Sequence, residues 1–120
     1  MKKELFKIAL VVEDIEKSVE YYTKVFDLKV KERLGSPGGD YVFMESDSVF
    51  VELMPYANHK DDGLGFHHIC FKTDDVAATL KDVADKGATV DVEPFDGGYG
   101  ITLADVKGPD NVRLRLFNRK

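Results

Sequence analysis

A single cysteine, Cys70, stands in a chain of 120 residues, so no disulfide can form within it, and the composition fits a reducing compartment. Long apolar runs are missing as well. No stretch approaches the ~20 residues that a membrane-spanning helix needs. The opening Met1-Lys2-Lys3-Glu4 leads straight into a strand pattern and leaves no room for the apolar centre of a secretion signal. Basic runs are absent. With 17 Lys+Arg against 22 Asp+Glu the net charge is -5, which argues against a nucleic-acid partner. The glycine-rich segments Gly35–Asp40 and Asp96–Gly100 do not follow a phosphate-cradling template such as GxxxxGK(S/T). The expectation left by these exclusions is one cytoplasmic α/β or α+β domain over residues 1–120, its 43% hydrophobic content sufficient for a core.

What is present is a pattern that occurs twice. Phe6 to Val12 predicts a strand, Asp14 a helix N-cap, and Ile15, Val19, Tyr22 and Phe26 one buried helix face. Leu28 to Arg33, Tyr41 to Glu45 and Val49 to Met54 predict three further strands, the first two separated by the glycine-rich turn Gly35–Asp40. Pro55 to Gly65 is polar and reads as a linker. His67 to Lys72 then predicts a strand, Asp75 a cap, and Val76, Leu80 and Val83 a helix stripe ending before Gly87. Ala88 to Val92, Gly100 to Val106 and Val112 to Phe117 complete the set, with Pro109-Asp110-Asn111 as a turn. Lys7 to Ile15 lies over His68 to Val76 at an offset of 61, and Val49 to Leu53 lies over Val112 to Leu116 at an offset of 63. The fold expected is therefore α+β, two βαβββ modules at 5–55 and 66–118 forming one curved eight-stranded cup with its helices outside.

Side chains alternate along a strand, so each strand offers two sets. Phe6, Ile8 and Leu10 suit packing under a helix, which leaves Lys7, Ala9 and Val11 for the inner face. By the repeat, His68, Cys70 and Lys72 share that face. Val49, Val51 and Leu53 suit the helix side, turning Phe50, Glu52 and Met54 inward, with Arg113, Arg115 and Phe117 as their counterparts. Lys7, Glu52, His68 and Arg115 thus hold equivalent places in two repeats.

The segments Ile8 to Ile15, Tyr21-Tyr22 and Val25 to Leu28 resemble the opening module of the vicinal oxygen chelate superfamily. So do Phe50 to Leu53, His67 to Phe71 with Asp74-Asp75-Val76, and the stretch from Gly98 to Asp110. The superfamily includes glyoxalase I, methylmalonyl-CoA epimerase, extradiol dioxygenases, fosfomycin-resistance enzymes and bleomycin-binding proteins, so the resemblance is specific for fold and open for reaction. It also implies a homodimer. In metal-dependent members, His, Glu or Gln ligands stand at the positions that here are Lys7, Glu52, His68 and Arg115. Glu52 and His68 match. Lys7 and Arg115 carry groups that donate and have no lone pair to offer a metal, and two cations against one acid repel a divalent ion.

The expectation is accordingly that no metal is bound and no cofactor is required, the alternative being a divalent ion (Zn, Ni, Co or Mn) on Glu52 and His68. Glu52 reads as a salt-bridge partner of Lys7 or Arg115, or as a base. His68 reads as an acid/base or a hydrogen-bonding contact to ligand, and His67, facing the other way, as structural. Cys70 is a small core residue rather than a nucleophile. The surplus positive charge of Lys7 and Arg115, with Arg113 and Lys72 nearby, suits a small anionic ligand. Phe50, Met54 and Phe117 would wall the pocket, with Tyr99 and Tyr41 on mobile rims. Three functions follow: a metal-free small-molecule-binding protein, a metal-dependent glyoxalase I-like lyase or epimerase with Glu52 and His68 as ligands, or a metal-free enzyme with Glu52 as proton-transfer base and Lys7 or Arg115 at the oxyanion.

Overall fold

A computed structural model describes residues 2–120. The chain divides into two compact units, one of Lys7–His67 and one of His68–Lys120 together with the start of the chain up to Phe6. The boundary falls inside two strands, β1 (Glu4–Val12) and β5 (Gly65–Lys72).

In the first unit, β1 is followed by helix α1 (Ile15–Phe26) and strands β2 (Lys29–Leu34), β3 (Tyr41–Glu45) and β4 (Phe50–Pro55). Their spatial order is β2-β3-β4-β1, with β1 and β4 parallel and the other pairs antiparallel. Asp14 caps α1 by accepting from the Lys17 backbone N–H at 3.0 Å, and Asp27 ends it in the left-handed region at φ 60°. The helix places Ile15, Val19 and Tyr22 against buried Val42, Met44 and Leu53, with Leu10, Val12 and Val51 around them. The opposite face gathers Ala9, Val11 and Met54, flanked by Tyr41 and Tyr56. The alternation read from the sequence holds from Ala9 to Val12 on β1 and from Val51 to Met54 on β4. Ile8, however, expected under the helix, is 38% exposed, Phe6 packs on Phe117 instead, and Phe26, expected on the buried face of α1, is 60% exposed. Arg33 on β2 forks onto Glu16 of α1 with contacts of 2.8 and 3.0 Å and holds that carboxyl below its ordinary value. Solvent screens this exposed pair, so its contribution is small.

The second unit repeats the plan with α2 (Val76–Asp85), β6 (Thr89–Gly98), β7 (Ile101–Lys107) and β8 (Arg113–Arg119), in the order β5-β8-β7-β6. Asp75 caps α2 through the Ala78 N–H at 3.0 Å. Val76 and Leu80 pack on Ala104, Val106 and Leu116, with Phe71, Val83 and Leu114 beside them. Among the described residues no helix is long and apolar enough to cross a membrane.

Three further expectations need correction. Strand β6 runs to Gly98 rather than ending at Val92, because shifts in its pairing with β7 between Val92 and Phe95 absorb Pro94 without ending the ladder. Asp96 to Gly98 is thus strand, not loop. The Gly35–Asp40 turn is pinned rather than a free rim: Ser36 Oγ donates to the Gly39 carbonyl at 2.6 Å, and Asn58 Nδ2 donates to Ser36 Oγ at 2.8 Å. A side chain on Gly38 would push aside the Asn58 amide that donates to Ser36 Oγ. The Pro55–Gly65 segment, read as a linker, holds a 3₁₀ turn at Tyr56–Asn58.

Leu53 is fully buried under α1. Leu53→Ala is expected to lower unfolding free energy by about 2–5 kcal/mol, and loss of the α1 cap in Asp14→Ala by about 1 kcal/mol. Urea midpoints at unchanged slope measure both, and an equal effect of the two variants would contradict this account of the core.

Candidate functional site

Charged groups sit on the face of each unit turned away from its helix, and each unit neutralises its own. In the first unit β1 runs parallel to β4 with Lys7 opposite Phe50 and Ala9 opposite Glu52. Lys7 Nζ donates to Glu52 Oε1 in a short ion pair, with both side chains more than nine-tenths buried. Desolvating either charge alone costs several kcal/mol, and the contact offsets that cost. Lys7 Nζ also lies 5.1 Å from the Phe43 ring centroid, and Phe43 packs on Phe50 at 6.4 Å. Of the two salt bridges open to Glu52, the structure contains the one with Lys7.

In the second unit Arg115 on β8 lies directly across from Asp105 on β7. Its Nε and Nη2 donate to the two carboxylate oxygens at 2.7 and 2.9 Å, a fork of the strongest kind for this pair of groups. Arg113 Nε is 4.0 Å from the same carboxylate. Asp105, 2% exposed, is a site residue that the sequence reading passed over. The signal was there: an acid in the otherwise apolar Leu103-Ala104-Asp105-Val106 run has to meet a cation. His68 and Cys70 on β5 are fully buried, and Phe117 packs on Phe6 at 4.8 Å with Lys72 Nζ above that ring. Tyr99 is 55% exposed at a positive φ of 56° in the tight turn before β7. Met54 belongs to the apolar cluster with Ala9 and Val11. Tyr41 is turned to His59, its hydroxyl 2.8 Å from Nε2. His67 joins His59 and Asp62 in a compact group of ligand-type side chains.

This donor chemistry does not fit a divalent metal at the positions implied by the resemblance. Lys7 and Arg115 have no lone pair to give, and the Glu52 carboxylate is engaged by an ammonium group. Two protein ligands also fall short of the three that catalytic zinc sites keep.

Two α+β units, each a βαβββ module with charged side chains on the face away from its helix, define a class of two-module sheet proteins. The chain belongs to the Glyoxalase/Bleomycin resistance protein/Dioxygenase superfamily, whose sequence profile matches residues 5–116. It is 33% identical over 117 residues to a lactoylglutathione lyase of Arabidopsis thaliana, covering 90% of this chain and 41% of that protein. The chain thus spans less than half the length of that relative. A hypothetical protein of Bacillus halodurans C-125 superposes with a TM-score of 0.82 at 21% identity, covering 100% of this chain and 96% of that one. A methylmalonyl-CoA epimerase in complex with methylmalonyl-CoA and ammonium superposes with a TM-score of 0.76 at 21% identity, over 98% and 94% of the two chains. The paired βαβββ modules expected from the internal repeat are the fold these structures share.

Removing one partner of the buried pair is expected to cost about 3–5 kcal/mol, in Lys7→Met or in Glu52→Leu, while the double variant recovers most of the loss. A thermodynamic cycle from urea unfolding of the four proteins measures the coupling. Additive losses would show that the two charges do not stabilise each other.

Proposed function

We propose that this chain is a small-molecule-binding member of the superfamily that takes a ligand with an anionic group, and that an internal ion pair replaces the divalent metal at its family ligand positions. The buried Lys7–Glu52 pair carries this reading, because it commits the one carboxylate at those family positions to an ammonium group. Support for an anionic ligand comes from β8, where two guanidinium groups, Arg113 and Arg115, face the single carboxylate of Asp105. A guanidinium group oriented by a buried acid matches the planar geometry of a carboxylate or phosphate. The anionic thioester named with the epimerase neighbour is a ligand of the same class. His68, buried on β5, serves in this reading as a polar contact to the ligand, with Phe117 and Tyr99 of the same unit as aromatic contacts.

A second reading is favoured by the names of the relatives: a lyase acting as lactoylglutathione lyases do, with Glu52 as a metal ligand. It requires Glu52 to exchange Lys7 for a metal. The metal-free enzyme stands between the two, with Glu52 taking a proton while Lys7 steadies the oxyanion that forms.

The test is a thermal-shift screen of carboxylates and phosphates on the full chain after chelator treatment, followed by calorimetry on each hit. One class of anion is expected to raise Tm, and Arg113→Gln to weaken it at least about tenfold, the loss of one charged hydrogen bond. Glu52→Gln is expected to retain binding. Formation of lactoylglutathione by the untreated protein, lost in Glu52→Gln and after chelation, would instead establish the lyase.

A further inference from the structure

We propose that His59, Asp62 and His67 form a binding site for a zinc-type divalent transition metal, built on the segment that joins β4 to β5. The three ligand-type atoms lie within 4.8 Å of one another. Two imidazole nitrogens converge on one oxygen: His59 Nδ1 is 3.3 Å and His67 Nε2 is 3.0 Å from Asp62 Oδ2. Zinc bonds of about 2.0–2.1 Å in tetrahedral arrangement separate neighbouring ligand atoms by about 3.3 Å. The two measured separations are close to that spacing, so a metal can replace the hydrogen bonds with small side-chain movement.

The frame around the ligands is fixed. His59 ends the 3₁₀ turn, and the Asp62 N–H donates to the His59 carbonyl at 3.0 Å, which sets the two residues in one tight turn. Gly63 and Gly65, at φ 78° and 98°, then bend the chain back into β5, where His67 is held with its side chain 3% exposed. The His59 and His67 rings meet edge to face at 5.3 Å, leaving both nitrogens aimed at Asp62.

An outer partner is also in place. His59 Nε2 is 2.8 Å from the Tyr41 hydroxyl, which accepts from Asn58 Nδ2 at 3.2 Å. With metal on Nδ1, the ring proton resides on Nε2 and donates to Tyr41 Oη, which fixes the tautomer that coordinates. Two imidazoles and one carboxylate suit zinc, cobalt or nickel better than magnesium or calcium, which prefer all-oxygen sets. Three protein ligands leave a fourth position, and the Asp62 side chain, 31% exposed, opens it to solvent. The site involves none of the residues on which the anion-binding reading rests.

Calorimetric titration of the full chain, stripped of metal by chelator, with Zn²⁺ tests the proposal, supported by the visible spectrum of the Co²⁺ form. One equivalent is expected to bind, with a higher Tm and the strong visible bands of low-coordinate cobalt, while Mg²⁺ gives neither. Asp62→Asn and His59→Asn are expected to weaken binding at least about 100-fold, and Tyr41→Phe by about 10-fold or more, as loss of an outer partner does. Circular dichroism and the metal-free Tm of each variant separate lost ligation from lost folding, and the exposed Asp62→Asn is the change least able to disturb the fold. Failure of the wild-type chain to take up Zn²⁺ overturns the proposal. So does uptake that survives in folded Asp62→Asn but is lost in Glu52→Gln, a result that would place metal at the family position and overturn the anion-binding reading as well.

Discussion

A charge placed on the buried face of a sheet must find its counter-charge close by, and the arrangement of this protein follows from how each module meets that demand. In the first module the cation comes from β1 and the acid from β4, as Lys7 and Glu52. In the second the cation comes from β8 and the acid from β7, as Arg115 and Asp105. Register makes the comparison direct. Glu52 pairs across the ladder with Phe43 on β3, and Arg115 pairs with Asp105 on β7. The second module thus carries an acid where the first carries an aromatic ring, and a histidine, His68, where the first carries Lys7. The two repeats solve the same electrostatic problem with different strands.

That difference also marks how far the sequence could be read. The two modules, the helix caps at Asp14 and Asp75, and the sides of β4, β8 and the second half of β1 that pack on a helix are legible, because alternation and helical spacing report which side of an element is dry. The Lys7–Glu52 pair is legible as one of two choices. The partner of Arg115 is not, since a lone acid within an apolar strand shows that it needs a cation but not which one. Cross-strand pairing decides that, and it depends on the register of β7 against β8. The segment before β5 is misread for a related reason. Polar composition and glycines signal a connection, while the convergence of His59, Asp62 and His67 requires a turn and a strand to bring together residues separated by three and five positions.

Membership of a superfamily whose members differ in chemistry makes the substituted positions the informative ones. Lysine and arginine at places where the resemblance implies ligands convert an electron-donating set into a hydrogen-bond-donating one. Under the function proposed above, the same scaffold takes an anion in place of a cation. Such an exchange needs no change in backbone, because the residues involved occupy regular strand positions in parallel and antiparallel ladders.

Cys70, the only thiol in the chain and fully buried on β5, has a practical corollary. A reagent modifies a thiol only when it is present as an accessible thiolate. Alkylation of the native protein must therefore wait for β5 to part from its neighbours, and its rate reports the free energy of that opening. The chain carries an intrinsic clock for the breathing of its second module, readable without a mutation or a ligand.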